Sequence, residues 1–208
     1  MDYLKLFLTA IVSYLIGSIL TGEIVAKLRK VNIRAQGSGN IGATNVYRSM
    51  GSLFGALVLI GDILKGVLVV VVGSQLGKVM GVDLAAIAGI FVIAGHNWSI
   101  FANFRGGKGI ATSLGVIITL TPASLLIVLP VWLLIFFTSG FVSLASVLAA
   151  IVYPVSILTI YPGDISKLAL SVILAIFALY RHKSNIIRLF QGRENRVLYK
   201  NKRSTNEK

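Results

Sequence analysis

Apolar residues occur in long runs along this chain, and short polar or glycine-rich segments separate the runs. About 20 consecutive apolar residues cross the ~30 Å hydrocarbon core of a bilayer as a helix. The pattern therefore predicts an all-α, polytopic membrane protein. Because Met1-Asp2 is not a basic leader, the first run is predicted to be a membrane helix rather than a signal peptide. The runs cover Leu4 to about Val25, Leu53–Leu76, Leu84–Phe101, Ile110–Thr138, Val142–Tyr161 and Ile165–Tyr180.

The run Ile110–Thr138 is too long for one upright span. Thr121-Pro122 lies near its middle, and proline lacks the N–H that a continuing helix needs. Proline also disfavours the helical conformation of the residue before it. Two short helices are therefore predicted, over about 110–121 and 123–138, which makes seven transmembrane helices in all.

The composition narrows the class of protein further. Of the 208 residues, 56% are apolar and only 13% are charged, which excludes an intrinsically disordered chain. The lack of cysteine excludes disulfide scaffolds and cysteine-based metal or nucleophile sites. The net charge of +13 favours anionic lipids or anionic substrates as partners rather than nucleic acid.

Lys and Arg residues cluster in three segments, and such clusters mark the cytoplasmic side of a membrane protein. The segments are 27–48, 105–108 and 181–208, whereas Lys5, Lys78 and Lys167 stand apart from them. With seven spans and an outside N-terminus, all three segments lie in the cytoplasm. The loops 27–50, 96–109 and 139–143 and the segment 181–192 then share one face and are predicted to form one site.

The predicted transmembrane domain covers residues 1–192 as a single unit. Residues 193–208 are polar and lack apolar periodicity. They are predicted to be a frayed basic tail that rests near anionic headgroups.

The first loop contains a run rich in glycine, hydroxyl and amide side chains, GSGNIGATN at residues 37–45, followed by Arg48. Glycines let successive N–H groups turn toward one anion, hydroxyls add donors, and Arg48 supplies a charged fork. The run is therefore predicted to bind phosphate, with a plain helix connector as the alternative. It is not a nucleotide-binding P-loop, because no Lys-Ser or Lys-Thr pair follows its last glycine.

The second loop ends in Arg105-Gly106-Gly107-Lys108-Gly109, just before a predicted helix. Two cations on flexible backbone at a helix N-terminus favour an anion. The alternative is a basic loop that only fixes membrane orientation. His96, at the start of this loop, is either a site residue or a structural histidine.

A third basic segment ends the last span. If the helix continues, Arg181, Asn185 and Arg188 share one face, and His182 lies beside Asn185. The face would offer cations, an imidazole and an amide. A basic helix end that only sets membrane depth is the alternative.

The carboxylates are scattered, so the sequence indicates no acidic pair for catalysis and no metal site. They are Asp2, Glu23, Asp62, Asp83, Asp164, Glu194 and Glu207. Asp62 lies one helical turn from Lys65 inside the second span, and the two are predicted to pair because isolated charges are costly in a membrane. Any reaction is therefore predicted to depend on cations, amides, hydroxyls and one histidine.

Four segments together resemble the bacterial acyl-phosphate:glycerol-3-phosphate acyltransferases, small integral membrane enzymes of the PlsY type. The segments are GSGNIGATNVYR at 37–48, GHNWSIFANFRGGKGIAT at 95–112, Val142-Ser143-Leu144, and YRHKSNIIRLFQGRE at 180–194. The resemblance covers nearly the whole chain. It implies an enzyme of the bacterial inner membrane, with its site on the cytoplasmic face, that catalyses the first acylation of phospholipid synthesis. A fatty acyl group would move from acyl phosphate to the 1-hydroxyl of sn-glycerol 3-phosphate, giving lysophosphatidic acid and phosphate.

The resemblance also implies roles for individual residues. The catalytic set is Ser38, Lys108, His182 and Asn185. The substrate-binding set is Gly39, Asn40, Gly42, Thr44, Asn45, Arg48, His96, Arg105, Gly106, Gly107, Gly109, Ser143 and Arg188. No metal or cofactor is implied. The proton of the hydroxyl goes either to His182 or to a substrate phosphate, and the residues leave both options open.

Two positions depart from the family pattern. Relatives commonly have proline where this chain has Ser99, so the conformation of the bend after His96 is not predicted. At position 105, Arg105 replaces the usual lysine. The implied partners are acyl phosphate, glycerol 3-phosphate, anionic membrane lipids and a separate acyltransferase that supplies the acyl phosphate. The alternative function is a membrane transporter of phosphate or organic phosphates that uses the same glycine loops as an anion site.

Overall fold

The computed structural model describes residues 2–81 and 83–198, and every regular element within them is helical. The predicted all-α fold is therefore confirmed. The helices are α1 (Asp2–Gly17), α2 (Thr21–Leu28), α3 (Ala43–Met50), α4 (Ser52–Met80), α5 (Ala85–Asn97), α6 (Ile110–Leu120), α7 (Leu125–Ser139), α8 (Val142–Ile160), α9 (Ile165–Arg181) and α10 (Lys183–Phe190). Short 3₁₀ turns cover Ile33–Ala35, Ile100–Ala102 and Pro122–Ser124.

Five apolar helical segments of the described chain are long enough to cross a membrane. They are Asp2–Leu28, Ser52–Met80, Ala85–Ala102, Pro122–Ser139 and Val142–Ile160. Helices α9 and α10, bent by 58° relative to each other, add a sixth if they count as one span. Helix α6 is apolar but has only 11 residues. The segments follow the predicted runs in order, and the number of seven spans stays a prediction.

The predicted break in the fourth apolar run is confirmed. Helix α6 ends at Leu120 and α7 begins at Leu125, with Pro122 at the start of the 3₁₀ turn between them. Proline suits this place because the first N–H groups of a helix have no partner within it. Thr121 is buried at the break, and its hydroxyl lies 2.9 Å from the hydroxyl of Tyr153 in α8. The break therefore fixes Thr121 against α8.

The first apolar run is not one continuous helix, in contrast to the prediction. Helix α1 ends at Gly17 and α2 begins at Thr21. At this break the carbonyl oxygens of Gly17 and Ile19 accept hydrogen bonds from Lys65 Nζ of α4, at 3.3 and 3.0 Å. Lys65 also forms the predicted ion pair with Asp62, at 2.9 Å. The helix is thus interrupted where its free carbonyls bind a buried lysine of the next span.

Helices α4, α5, α6, α8 and α9 surround a shared apolar core, with α1 packed on α5 and α7 on α8. Helices α4 and α6 approach each other closely. A Cβ on Gly66 would lie 2.5 Å from the carbonyl oxygen of Thr112, and one on Gly115 would lie 2.2 Å from that of Ile63. Small residues at such contacts are typical of helix pairs in membranes.

Candidate active site

A cavity of about 750 Å³ opens where the predicted site segments meet at one end of the helix bundle. Polar and charged side chains line its mouth, and apolar side chains of α6, α7, α8 and α9 line its depth. The charged mouth and the apolar depth form one continuous space. The polar lining includes Ser38, Asn40, Thr44, Asn45, Arg48, Asp62, His96, Lys108, Ser143, His182, Asn185, Arg188 and Glu194.

The first loop is held in shape by the buried side chain of Asn45. Its Oδ1 accepts a hydrogen bond from the backbone N–H of Ser38 at 2.9 Å, and its Nδ2 donates to the carbonyl oxygens of Asn40 and Gln36 at 2.8 and 3.0 Å. Asn45 therefore organises the loop, and Ser38 and Arg48 line the cavity.

Hydrogen bonds to His96 and to Arg181 hold the second loop in place just before Lys108. The backbone N–H of Gly107 donates to the carbonyl oxygen of His96 at 2.9 Å. Any side chain on Gly107 would collide with the imidazole, since a Cβ there would lie 2.1 Å from His96 Nε2. Arg181 donates from Nε and Nη2 to the carbonyl oxygens of Gly107 and Gly106, both at 2.8 Å. Lys108 then extends to Asn185, with Nζ 2.6 Å from Oδ1.

The third segment bends at His182 instead of continuing as one helix, so the condition for a shared face of Arg181, Asn185 and Arg188 is not met. Arg181 binds the second loop, whereas Asn185 and Arg188 line the cavity.

The buried imidazole of His182 also lines the cavity. Its Nδ1 lies 2.8 Å from the carbonyl oxygen of Ala178. A carbonyl oxygen only accepts, so Nδ1 carries the proton and Nε2 is the hydrogen-bond acceptor.

Glu194 stands among the site residues, in contrast to the prediction of a site without a carboxylate. Its Oε1 accepts hydrogen bonds from Asn185 Nδ2 at 2.7 Å and Ser143 Oγ at 2.9 Å, and its Oε2 accepts one from Arg188 Nε at 2.8 Å. Only 8% of the side chain is exposed. Burial by itself raises the pKa of Glu194, but the hydrogen bonds from Asn185, Arg188 and Ser143 outweigh it and hold the pKa below its usual value.

The described part of the predicted tail, residues 193–198, packs against the site rather than fraying. The carbonyl oxygen of Asn195 accepts a hydrogen bond from Arg48 Nη2 at 3.0 Å, and the N–H of Val197 donates to the carbonyl oxygen of Gly140 at 2.8 Å. The guanidinium of Arg196 lies over the ring of Phe141, 5.0 Å from its centroid. The prediction for residues 199–208 lies outside the described residues.

The chain matches the family model described as glycerol-3-phosphate acyltransferase over residues 7–192. The glycerol-3-phosphate acyltransferase of Desulforudis audaxviator (strain MP104C) is 40% identical over 203 residues, which cover 96% of this chain and 100% of that protein. The enzyme of the same name from Thermoanaerobacter pseudethanolicus (strain ATCC 33223 / 39E) is 44% identical over 191 residues, covering 91% and 94%. This chain belongs to the glycerol-3-phosphate acyltransferase family.

Solved structures of this acyltransferase family agree with the fold. A crystal structure of PlsY (YgiH), an integral membrane glycerol 3-phosphate acyltransferase in its glycerol 3-phosphate form, superposes with a TM-score of 0.85 at 39% identity. It covers 92% of this chain and 95% of that one. The lysophosphatidic acid form of PlsY gives a TM-score of 0.82 at 38% identity. The membrane-protein fold predicted from the apolar runs is the fold of a PlsY-type acyltransferase.

Most of the predicted acyltransferase site residues line the one cavity, although their roles stay predictions. Those brought together are Ser38, Asn40, Gly42, Thr44, Asn45, Arg48, His96, Lys108, Gly109, Ser143, His182, Asn185 and Arg188. The lining does not include Gly39, Arg105, Gly106 and Gly107. The carbonyl oxygen of Arg105 accepts a hydrogen bond from Arg34, and the two following glycines bind Arg181, so these residues support the loop that presents Lys108.

Two residues singled out by comparison with the acyltransferase pattern have clear structural contacts. His96 is buried, and its Nδ1 lies 2.8 Å from Lys65 Nζ, so the ring is engaged within the bundle. Ser99 has φ −64°, within the range to which a proline ring restricts the backbone. Its hydroxyl donates to the carbonyl oxygen of Ser18 at 2.7 Å. The backbone at Ser99 therefore has a conformation that a proline could also adopt.

The charge on Lys108 is sensitive to pH because of its surroundings. The pKa of its ammonium group is lowered to about 8, chiefly by burial; Glu194 opposes this shift, and the cations Arg188, Arg181 and Arg48 contribute to it. Lys108 is thus mostly charged at neutral pH and loses its charge as the pH rises through about 8. A phosphate bound beside it would favour the charged form.

Proposed function

We propose that this protein transfers a fatty acyl group from acyl phosphate to the 1-hydroxyl of sn-glycerol 3-phosphate, giving lysophosphatidic acid and phosphate. The observation that supports it most is the single cavity, which joins a cation-lined mouth to an apolar depth. Both substrates have a phosphate, and one has a long apolar tail, so one space of this kind suits both. The names of the relatives and of the solved PlsY forms agree with this substrate and product.

The cations at the mouth suit the phosphates of the two substrates. Arg48 and Arg188 hold a fixed charge, and Lys108 is positioned between the second loop and Asn185. We assign to Ser38 and Thr44 the role of hydroxyl donors to a phosphate, because both line the same mouth. The glycine-rich first loop would cradle one phosphate between these side chains.

Acyl phosphate is an activated mixed anhydride, so positioning and charge stabilisation suffice for the transfer. The 1-hydroxyl oxygen attacks the acyl carbon, the bond from that carbon to the phosphate oxygen breaks, and phosphate leaves with the electron pair. Lys108 and Arg48 stabilise the negative charge on the leaving phosphate. This route needs no covalent enzyme intermediate and uses the side chains that line the cavity.

We assign the proton of the attacking hydroxyl to a substrate phosphate oxygen. The imidazole of His182 is oriented by a backbone carbonyl at Nδ1 rather than by a carboxylate. A carbonyl fixes the tautomer but supplies no negative charge to stabilise an imidazolium, as the aspartate of serine hydrolases does. The free Nε2 of His182 is then a hydrogen-bond acceptor that orients the hydroxyl.

The variant His182→Ala tests this assignment. We expect the KM for glycerol 3-phosphate to rise and kcat to fall only modestly. The change in rate near pH 6 should remain in the variant, because it reports the second ionisation of the substrate phosphate at about 6. Steady-state kinetics across pH at saturating substrate are the measurement. A thousand-fold fall in kcat together with loss of the limb, in a correctly folded variant, would identify His182 as the general base.

The activity itself is tested with purified protein in detergent. Given acyl phosphate and glycerol 3-phosphate, the protein should form lysophosphatidic acid and phosphate in equal amounts, and omission of either substrate should abolish the product. The transporter alternative predicts uptake of phosphate into proteoliposomes and no lysophosphatidic acid. That pair of results would overturn the proposal.

We propose that the site faces the cytoplasm of a bacterial inner membrane, with the N-terminus outside and anionic lipids around the protein. The support is the clustering of Lys and Arg at the end of the bundle that holds the cavity. Topology reporters inserted at Gly51 and after Leu198 should both report the cytoplasm. Reporters on opposite sides of the membrane would contradict this arrangement.

A further inference from the structure

The cavity continues beyond its polar mouth as a channel bordered by small side chains. Along α8 the lining passes from Ser143 through Ser146, Ala149 and Ala150 to Tyr153. Ten residues of α-helix, at 1.5 Å each, give this wall a length of about 15 Å. Alanines of α9 line the same space, at positions 175 and 178. Small side chains on both walls leave room for a slender apolar group.

The ring of Tyr153 lines the deep part of this cavity, ten residues along α8 from Ser143. This side chain is 2% exposed, and its hydroxyl lies 2.9 Å from that of Thr121. Thr121 in turn is fixed at the break between α6 and α7, so the ring has a rigid partner. Buried aliphatic side chains from three helices complete the end of the channel, namely Ile117, Val128 and Leu174.

We propose that Tyr153, held by Thr121, is the floor of the acyl-chain channel and sets the longest chain that the enzyme accepts. This inference rests on the proposed acyl transfer. A chain that stops short of the floor leaves apolar surface unfilled, and one that is longer has to displace a buried, hydrogen-bonded ring. Burial of each methylene changes the affinity by about fourfold, so the floor gives a sharp optimum in chain length.

Two substitutions should move this optimum in opposite directions. Tyr153→Leu lowers the floor and should raise kcat/KM for chains longer than the wild-type optimum, by about fourfold for each further methylene accommodated. Ala149→Leu, one turn nearer the mouth, should shift the optimum to shorter chains. Tyr153→Phe is the matched control, because it keeps the ring and removes only the hydroxyl, and its optimum should stay within one or two methylenes of wild type.

The measurement is kcat/KM for a series of saturated acyl phosphates at fixed glycerol 3-phosphate, on variants that elute as a single species in detergent. Leu59 and Leu129 also line the cavity, and they are 42% and 41% exposed. If the chain leaves sideways between α4 and α7 past these residues, neither substitution will move the optimum, and the proposal is overturned. The test stays decisive if one of the two variants fails to fold. The other variant alone shows whether the optimal chain length shifts in the expected direction.

The outcome separates this inference from the proposed function. If wild-type protein forms no lysophosphatidic acid from any acyl phosphate, the proposed function fails. If wild-type protein forms it and the optimum stays fixed in the folded variants, only the role of Tyr153 fails.

Discussion

Replacing Lys108 by alanine is expected to lower kcat/KM for glycerol 3-phosphate about ten- to hundred-fold. The substitution removes a charged donor from the mouth of the cavity, and charged hydrogen bonds of this kind contribute about 1.5–3 kcal/mol. Arg48→Ala should have an effect of similar size for the same reason. The control is Lys183→Ala, which removes an exposed cation one residue beyond His182 and outside the cavity lining. Near-wild-type turnover in both cavity variants would show that these cations serve only membrane orientation.

The same lysine predicts how activity depends on pH. The pKa of Lys108 is lowered to about 8, so its charge is complete well below pH 8 and is lost as the pH rises through that value. We therefore expect kcat/KM, which reports the free enzyme, to fall above pH 8. Lys108→Arg keeps its charge over the whole range and should lose this alkaline limb even if its activity is lower. An unchanged limb in Lys108→Arg would assign the titration to another group.

Replacing Glu194 by alanine is the second change with a large expected effect. The variant leaves Ser143, Asn185 and Arg188 without their shared acceptor. Loss of a charged hydrogen-bonding partner of this kind corresponds to about 1.5–3 kcal/mol, so kcat/KM should fall about ten- to hundred-fold. Glu194→Gln keeps the shape of the side chain and should retain more activity, since its amide oxygen still accepts.

A readout in the pH profile separates an electrostatic role of Glu194 from a purely structural one. Glu194 raises the pKa of Lys108, so removal of Glu194 should lower that pKa from its value of about 8. The alkaline limb of kcat/KM should therefore move to lower pH in both Glu194→Gln and Glu194→Ala. A lower activity with an unmoved limb would restrict Glu194 to holding the segment in place.

The sequence predicted those features that depend on local pattern. Pro122 predicted the break between two short helices, because the N–H that proline lacks affects only the helical turn in which the proline lies. The spacing of Asp62 and Lys65 predicted their ion pair, since one helical turn brings such side chains together. The glycine loops and basic segments indicated a shared anion site. Glycine residues show where the backbone can turn toward an anion, and Lys and Arg residues show where positive charge lies, so both are read directly from the sequence.

Features that depend on distant contacts were not predictable in this way. Glu194 binds Ser143, which is 51 residues away, and it lies in a segment without apolar periodicity. Arg181 was grouped with Asn185 because a straight helix was assumed, whereas the bend directs it to the second loop. The segment that resembles the acyltransferase family ends on Glu194, and this was the one signal in the sequence that set it apart from the other carboxylates.

The hydrogen bonds of Lys65 have a consequence for how the protein is made. A charged side chain on an isolated helix in the bilayer costs about 2.5–3.5 kcal/mol. The carbonyl oxygens that accept from Lys65 belong to a hydrophobic segment synthesised before α4, and His96, 2.8 Å from the ammonium group of Lys65, belongs to a segment synthesised after α4. During biosynthesis α4 thus reaches its stable state only when the segments on both sides of it in the chain have inserted, so membrane insertion and assembly of this half of the bundle are one coupled event.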